Sequence, residues 1–177
     1  MGVTRVEDWP QAPALQTKRL SLEPLRVEHA DEMVVVLGDP ALYGFTGGAP
    51  PTLDELRTSY RRRIEVGATD SQKRWLNWVM RDRASGAAVG GMQGEVTARA
   101  GGALEGELAW IVGTEHQRRG YAREAAAAVV AWMRETGDLR LMADIHPEHV
   151  ASMAVARSLG LTQTDEVVHG GELRWRE

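Results

Sequence analysis

The sequence predicts a mixed α/β domain built around one central sheet, with about seven strands and about four helices. Three observations predict it. Runs with the two-residue alternation of strands are interspersed with runs at the i, i+3, i+4 spacing of helices. Glycine or proline punctuates most of the junctions between them. With 177 residues and 43% hydrophobic content, the chain is long enough for one core and needs no second domain.

The elements follow in chain order. Residues 1–13 read as a tail, because Pro10 and Pro13 discourage regular structure around them, which assigns the domain to 14–177. A strand is expected over Arg19–Pro24, then helices over Val27–Leu37 and Leu53–Val66. Between those helices lies "GDPALYGFTGGAPP", a glycine- and proline-rich loop of the kind that often carries substrate contacts. Strands over Arg74–Arg81, Ala87–Thr97 and Leu104–Val112 come next, with "ARAGG" (98–102) supplying the turn before the last of them. An alanine-rich helix stops at Gly137, and "LRLMADIH" is a buried strand. "EHVASMAVARSL" is a helix closed by Gly160, and the rest is a hairpin turning at Gly170 and Gly171. There is no internal repeat and no low-complexity segment.

The junction "EHQRRGYAREAAAAVVAWM" (115–133) carries the strongest functional signal. Its helix presents Ala122, Ala125, Ala126, Val129, Val130 and Met133 on one apolar face, and the strand before it ends in "ELAWIV". A strand, a tight turn and a helix N-terminus leave several backbone N–H groups without partners at the positive end of the helix dipole. Such a turn suits a phosphate; Gly120 lets the backbone come close, and Arg118 and Arg119 favour a doubly charged pyrophosphate. The plainer alternative is a solvated corner. Two familiar phosphate loops fail: Gly113 and Gly120 are too far apart for a Walker loop, and a dinucleotide fingerprint would need more glycines in the turn.

Gln117, Arg118, Arg119, Gly120, Tyr121 and Ala122 match the Q/R-x-x-G-x-G/A acyl-coenzyme A loop, and in this the chain resembles the GCN5-related N-acetyltransferases (GNAT superfamily). The segment 15–33 is similar to the opening strand and helix of the branch containing the ribosomal-protein N-terminal acetyltransferases (RimJ/RimL-like), and 146–161 to that branch's late helix. The resemblance implies a mixed, mostly antiparallel twisted sheet flanked by helices, with acetyl-CoA as donor. It also implies a pre-loop strand, here Trp110, Ile111 and Val112, lying beside the pantetheine arm, with residues 117–123, Arg123 included, at the pyrophosphate. Many relatives have Asn at the start of the late helix and Tyr seven residues on as the acid for the leaving thiolate. Here those places hold His149 and Ala156. Ser152, one helical turn after His149, is the hydroxyl best placed for the sulfur, and His149 competes with it.

The chemistry narrows the remaining candidates. There is no Cys, so direct attack of an amine in a ternary complex is simpler than a covalent intermediate. The expected base is Glu107, which begins the pre-loop strand where the resemblance implies an acidic residue that takes the amine's proton, set against the plainer alternative of an exposed strand-end glutamate. Glu105 alternates onto the same face, and Asp144 and His146 on the following strand rank behind both. Arg61, Arg62 and Arg63 read as the solvated face of a helix, Trp75 and Trp78 as opposite faces of a strand, and His116 as exposed. The five histidines show no metal-ligand spacing with carboxylates, so no metal is expected.

These observations lead to an acyl-CoA dependent N-acetyltransferase acting on a small-molecule or peptide amine, as a monomer or homodimer. A coenzyme A-binding module without catalysis, or a transferase for longer acyl groups, are the alternatives. A net charge of −4 argues against a nucleic-acid partner. The absence of a long apolar run and of cysteines points to a cytoplasmic protein with no membrane partner.

Overall fold

The computed structural model describes residues 5–69, 72–99 and 101–177, so residues 1–4 of the expected tail and Ala100 of the expected turn lie outside it. Eight strands form one sheet in the order β1-β2-β3-β4-β5-β6-β8-β7. They are β1 (Leu15–Gln16), β2 (Leu20–Pro24), β3 (Lys73–Asp82), β4 (Ala88–Ala98), β5 (Leu104–Val112), β6 (Leu139–Ile145), β7 (Thr162–Val167) and β8 (Leu173–Arg176). Every neighbouring pair is antiparallel except β5 and β6, which the intervening helix makes parallel. The two-residue β1 is the strand the sequence did not resolve; it is too short to show an alternation.

Period-2 alternation sends each strand's residues to two cores. Leu76, Trp78 and Met80 of β3 join Leu104 and Leu108 of β5 beneath α3 (Tyr121–Thr136) and α4 (Val150–Ser158). The apolar stripe of α3 is buried at Ala125, Ala126, Val129, Val130 and Met133, whereas Ala122 is only half-buried. On the opposite face, Val79 packs with Met33 and Leu37 at α1 (Ala30–Val36) and with Leu56 and Tyr60 of α2 (Leu53–Thr69). Arg81 of β3 locks this layer, donating to Glu23 of β2 at 3.0 Å and to Glu32 of α1 at 2.9 Å.

The segment read as a tail is corrected by its own tryptophan. Val6 and Trp9 are 3% and 2% exposed within the larger core, and the Trp78 indole donates to the Pro13 carbonyl at 2.7 Å. Pro10 and Pro13 leave room only for a single 3-10 turn at Val6–Asp8, but they do nothing to keep a large apolar ring in water.

Gly90 of β4 faces Val112 and Met80 across its two neighbours, and a Cβ there would stand 2.1 Å from the Ile111 backbone oxygen. Backbone cannot yield as a flexible side chain can. Gly90→Ala should therefore lower stability by about 2–3 kcal/mol. Chemical denaturation checks this; an unchanged midpoint would contradict the close packing of β4 on β5.

Candidate active site

Strand β5 is shared by two clefts. On one edge it pairs with β6 only from Leu104↔Leu139 to Glu107↔Met142; beyond that point β6 continues with β8, and β5 keeps only β4. The edge of residues 108–112 therefore borders an open wedge. Trp110 bridges that wedge to the first turn of α4, its indole N–H 3.3 Å from Ser152 Oγ. Because that oxygen accepts, the serine's own proton is free to be donated elsewhere.

The wedge leads to the turn before α3. Arg118 and Gly120 both adopt left-handed backbone, at φ 61° and 77°, and the first-turn N–H groups of α3 have no intrahelical partner. Glu124, in that first turn, would repel an anion, but Thr17 Oγ1 and the Arg19 N–H groups hold its carboxylate at 2.6–2.8 Å. Arg19 also donates to the Arg119 carbonyl at 2.7 Å, so it clamps the loop from the β2 side. The Gln117 amide donates to the Val112 carbonyl at 3.1 Å, and the Tyr121 hydroxyl donates to Asp82, whose carboxyl is held down at about 2 by that bond. Those two side chains are committed to the protein. The Gln117 N–H is also taken, by the Thr114 carbonyl at 3.3 Å, so what remains for a ligand is the backbone from 118 onward, beside the exposed Arg118, Arg119 and Arg123.

On the α1/α2 face, a cleft of about 780 Å³ opens over the middle of the sheet. Its floor includes a row across three strands, Asn77, Gln93 and Ala109, which are Cα partners from β3 to β5. The next row is Trp75, Glu95 and Glu107. Glu95 is held by Lys73 at 2.6 Å. Glu107 has neither an ion pair nor a hydrogen bond among the described residues, and burial pushes its carboxyl above the usual range, with the charges of Asp144 and Glu95 adding to the effect.

The other carboxylates are occupied. Glu105 pairs with Arg99 at 2.5 Å, and Asp144 is gripped by two nitrogens of Arg174, each at 2.8 Å. His146 Nδ1 accepts from the Glu148 N–H at 3.2 Å. His149 caps α4 by accepting from the Ser152 N–H at 3.4 Å and stacks on Phe45, ring centroids 4.5 Å apart. Burial lowers the His149 pKa, so the ring is neutral near pH 7 and ill suited to donate as an imidazolium.

Several residues lie where the sequence did not put them. Arg61 and Arg62 are exposed as a solvated face requires, but Arg63 turns into the cleft, its Nη1 3.3 Å from Gln93 Oε1. The spacing of Leu56, Tyr60 and Arg63 was the available signal, since these positions share a helix face. His116 is half-buried rather than exposed, because its ring lies against Gly113. Trp78 is core, while Trp75 is half-buried on the other face. Arg19, Phe45, Asn77 and Gln93 had no motif to announce them; only strand register and loop docking bring them to the site. Among the described residues, no group of three or more acidic or histidine side chains is placed to hold a metal ion, and no helix is long and apolar enough to cross a membrane.

Comparisons with known proteins converge. The family model described as "Acetyltransferase (GNAT) domain" matches residues 19–162. A curated relative, aminoglycoside N(6′)-acetyltransferase type 1 of Stenotrophomonas maltophilia, is 38% identical over 68 residues, covering 38% of this chain and 42% of that protein. The crystal structure of an acetyltransferase from Agrobacterium tumefaciens has a TM-score of 0.71 at 26% identity, covering 93% of this chain and 94% of its own. The ribosomal α-N-protein acetyltransferase RimL, solved in complex with coenzyme A, has a TM-score of 0.73 at 15% identity, covering 91% of this chain and 94% of its own. At that identity the likeness is one of fold.

Proposed function

The chain belongs to the GNAT acetyltransferase domain family, whose model spans most of its length, and from this premise we propose that it moves an acetyl group from acetyl-CoA to a primary amine by direct attack in a ternary complex. One observation carries the reading: β5 offers an unpaired edge to the wedge and, through Ala109 and Ile111, part of the floor of the cleft on its other side. Donor and acceptor can then meet at a single strand.

Each group has a task in this scheme. The α3 N-terminus and the loop 117–123 hold the pyrophosphate through backbone N–H groups, with Arg118, Arg119 and Arg123 adding charge. The open edge of β5 at Trp110 and Val112 offers backbone groups to the pantetheine amides, with Ile111 between them beside the arm. Glu107 accepts the proton of the attacking amine, directly or through water, because no side chain holds its carboxylate, whereas Glu95, Glu105 and Asp144 are each paired. Ser152 donates its hydroxyl proton in a hydrogen bond to the departing sulfur, while Trp110 fixes its oxygen. With no thiol in the chain, the covalent route has no cysteine to use.

Calorimetry with acetyl-CoA, ATP and NAD tests the donor assignment: acetyl-CoA alone should bind, and preference for ATP or NAD would overturn it. Ser152→Ala should lower kcat about tenfold, the loss of one good hydrogen bond in the transition state, with acetyl-CoA affinity nearly intact. Full activity in that variant would transfer the role to His149 or to bulk water.

A further inference from the structure

The half-buried charge inside the acceptor cleft is cationic. Two charged side chains are among its lining residues, Glu55 and Arg63. Glu55 is spent at the start of α2, where its carboxylate accepts from the Thr52 N–H at 2.8 Å and from the Thr52 hydroxyl at 2.9 Å. Arg63 is half-buried, and its sole hydrogen bond among the described residues goes to the neutral amide of Gln93. A guanidinium taken partly out of water normally has a carboxylate or phosphate against it, because an uncompensated buried charge is expensive. Here it faces an open cleft instead.

A second, independent feature points to the same occupant. Asn77 is 8% exposed, lies on the cleft floor directly across from Gln93, and its Oδ1 has no hydrogen-bond partner. Buried side-chain acceptors are nearly always satisfied, so this one is set for a donor that arrives with a ligand. Much of the rest of the wall is apolar, including Leu25, Leu56 and Val79.

Resting on the transferase reading above, we infer that the acceptor is an amine that also carries a carboxylate on a small, largely apolar body, its carboxylate paired with Arg63 and an N–H bonded to Asn77. Gln93, which Arg63 reaches from α2, belongs to the row next to that of Glu107, and such rows lie about 7 Å apart along a strand. An amino carboxylate held by Arg63 therefore points its amine toward the base. A polycationic acceptor, of the kind the curated aminoglycoside relative is named for, would instead set positive charge against Arg63. That is repulsion in a partly dehydrated site.

The test uses binding, so it does not depend on turnover. Coenzyme A is titrated into the full-length protein by calorimetry. The loaded protein is then titrated with N-acetyl derivatives of alanine, leucine and glutamate, each beside its C-terminal carboxamide, and with the peptide acetyl-Ser-Glu-amide. For at least one alanine or leucine pair, the carboxylate form should bind about tenfold tighter than its carboxamide. That advantage should shrink to within about twofold in Arg63→Gln and survive in part in Arg63→Lys, with coenzyme A affinity and thermal melting unaltered in both. Tight binding by the acidic peptide beside weak binding by the free acids identifies a peptide side chain as the bearer of the carboxylate. Equal binding within every pair, a preference that persists in Arg63→Gln, or no binding by any member overturns the inference while leaving coenzyme A binding in place. Failure to bind coenzyme A overturns the transferase reading and this inference with it.

Discussion

Glu107→Gln is expected to lower kcat by about two to three orders of magnitude while leaving acetyl-CoA affinity within about twofold. The amide keeps the size and polarity of the carboxylate and removes only its capacity to take a proton. In the native protein, burial and the neighbouring charges of Asp144 and Glu95 raise the Glu107 pKa, which brings it nearer to the working range of a base than an exposed glutamate. The profile of kcat/KM should therefore carry an ascending limb displaced above the ordinary carboxylate range, and the variant should lack it. Stability should move the other way. A carboxyl with a raised folded-state pKa contributes stability that is fully present below its unfolded pKa and is lost as pH rises through the folded value. At neutral pH the charged Glu107 is thus a burden on the fold, and Glu107→Gln should melt at the same temperature or higher. An unaltered pH profile in the variant would remove Glu107 from the mechanism.

Gly120→Val should weaken acetyl-CoA binding about 100-fold, against less than about tenfold for Arg118→Ala. Gly120 sits at φ 77° immediately before α3, a conformation that β-branched residues all but exclude. The added side chain would also approach Arg19 Nη2, 3.4 Å from the position of a Cβ, and so disturb the clamp on Arg119. Valine must then rotate the turn, and the N–H groups that face the phosphates turn with it. Arg118, by contrast, is exposed and screened by solvent, so its loss removes charge without changing the backbone. Calorimetry on both variants, with circular dichroism to confirm that each is folded, makes the comparison. Unchanged affinity in Gly120→Val would mean that the loop does not hold the donor.

Much of this was legible in the letters because it depends on local periodicity. The strands from Lys73 to Val112 and the helices α2, α3 and α4 lie within a few residues of where alternation and apolar spacing put them. The geometry of the loop proposed to hold the donor was legible because a glycine with positive φ and a helix start are both local events. The acceptor side was not. Asn77, Gln93 and Ala109 are far apart in sequence and become one row only through the register of three strands, which no single strand's pattern specifies. Phe45 reaches His149 because a long loop docks on α4, and Trp9 reaches the core despite the prolines that follow it. The sequence already put Glu107 ahead of Glu105 and Asp144, but not the pairing that separates them: Arg99 and Arg174 take those two, and the sequence does not say which arginine meets which acid.

The most direct test of the whole scheme is an assay of free thiol released from acetyl-CoA by the purified protein across a panel of amines, with the products weighed by mass spectrometry. Thiol release should depend on a particular amine and should equal, mole for mole, an N-acetylated product 42 Da heavier than that amine, about the mass of an acetyl group replacing a hydrogen. Acetyl-CoA binding with no amine-dependent thiol release across the panel, or thiol release with no acetylated amine, would contradict it.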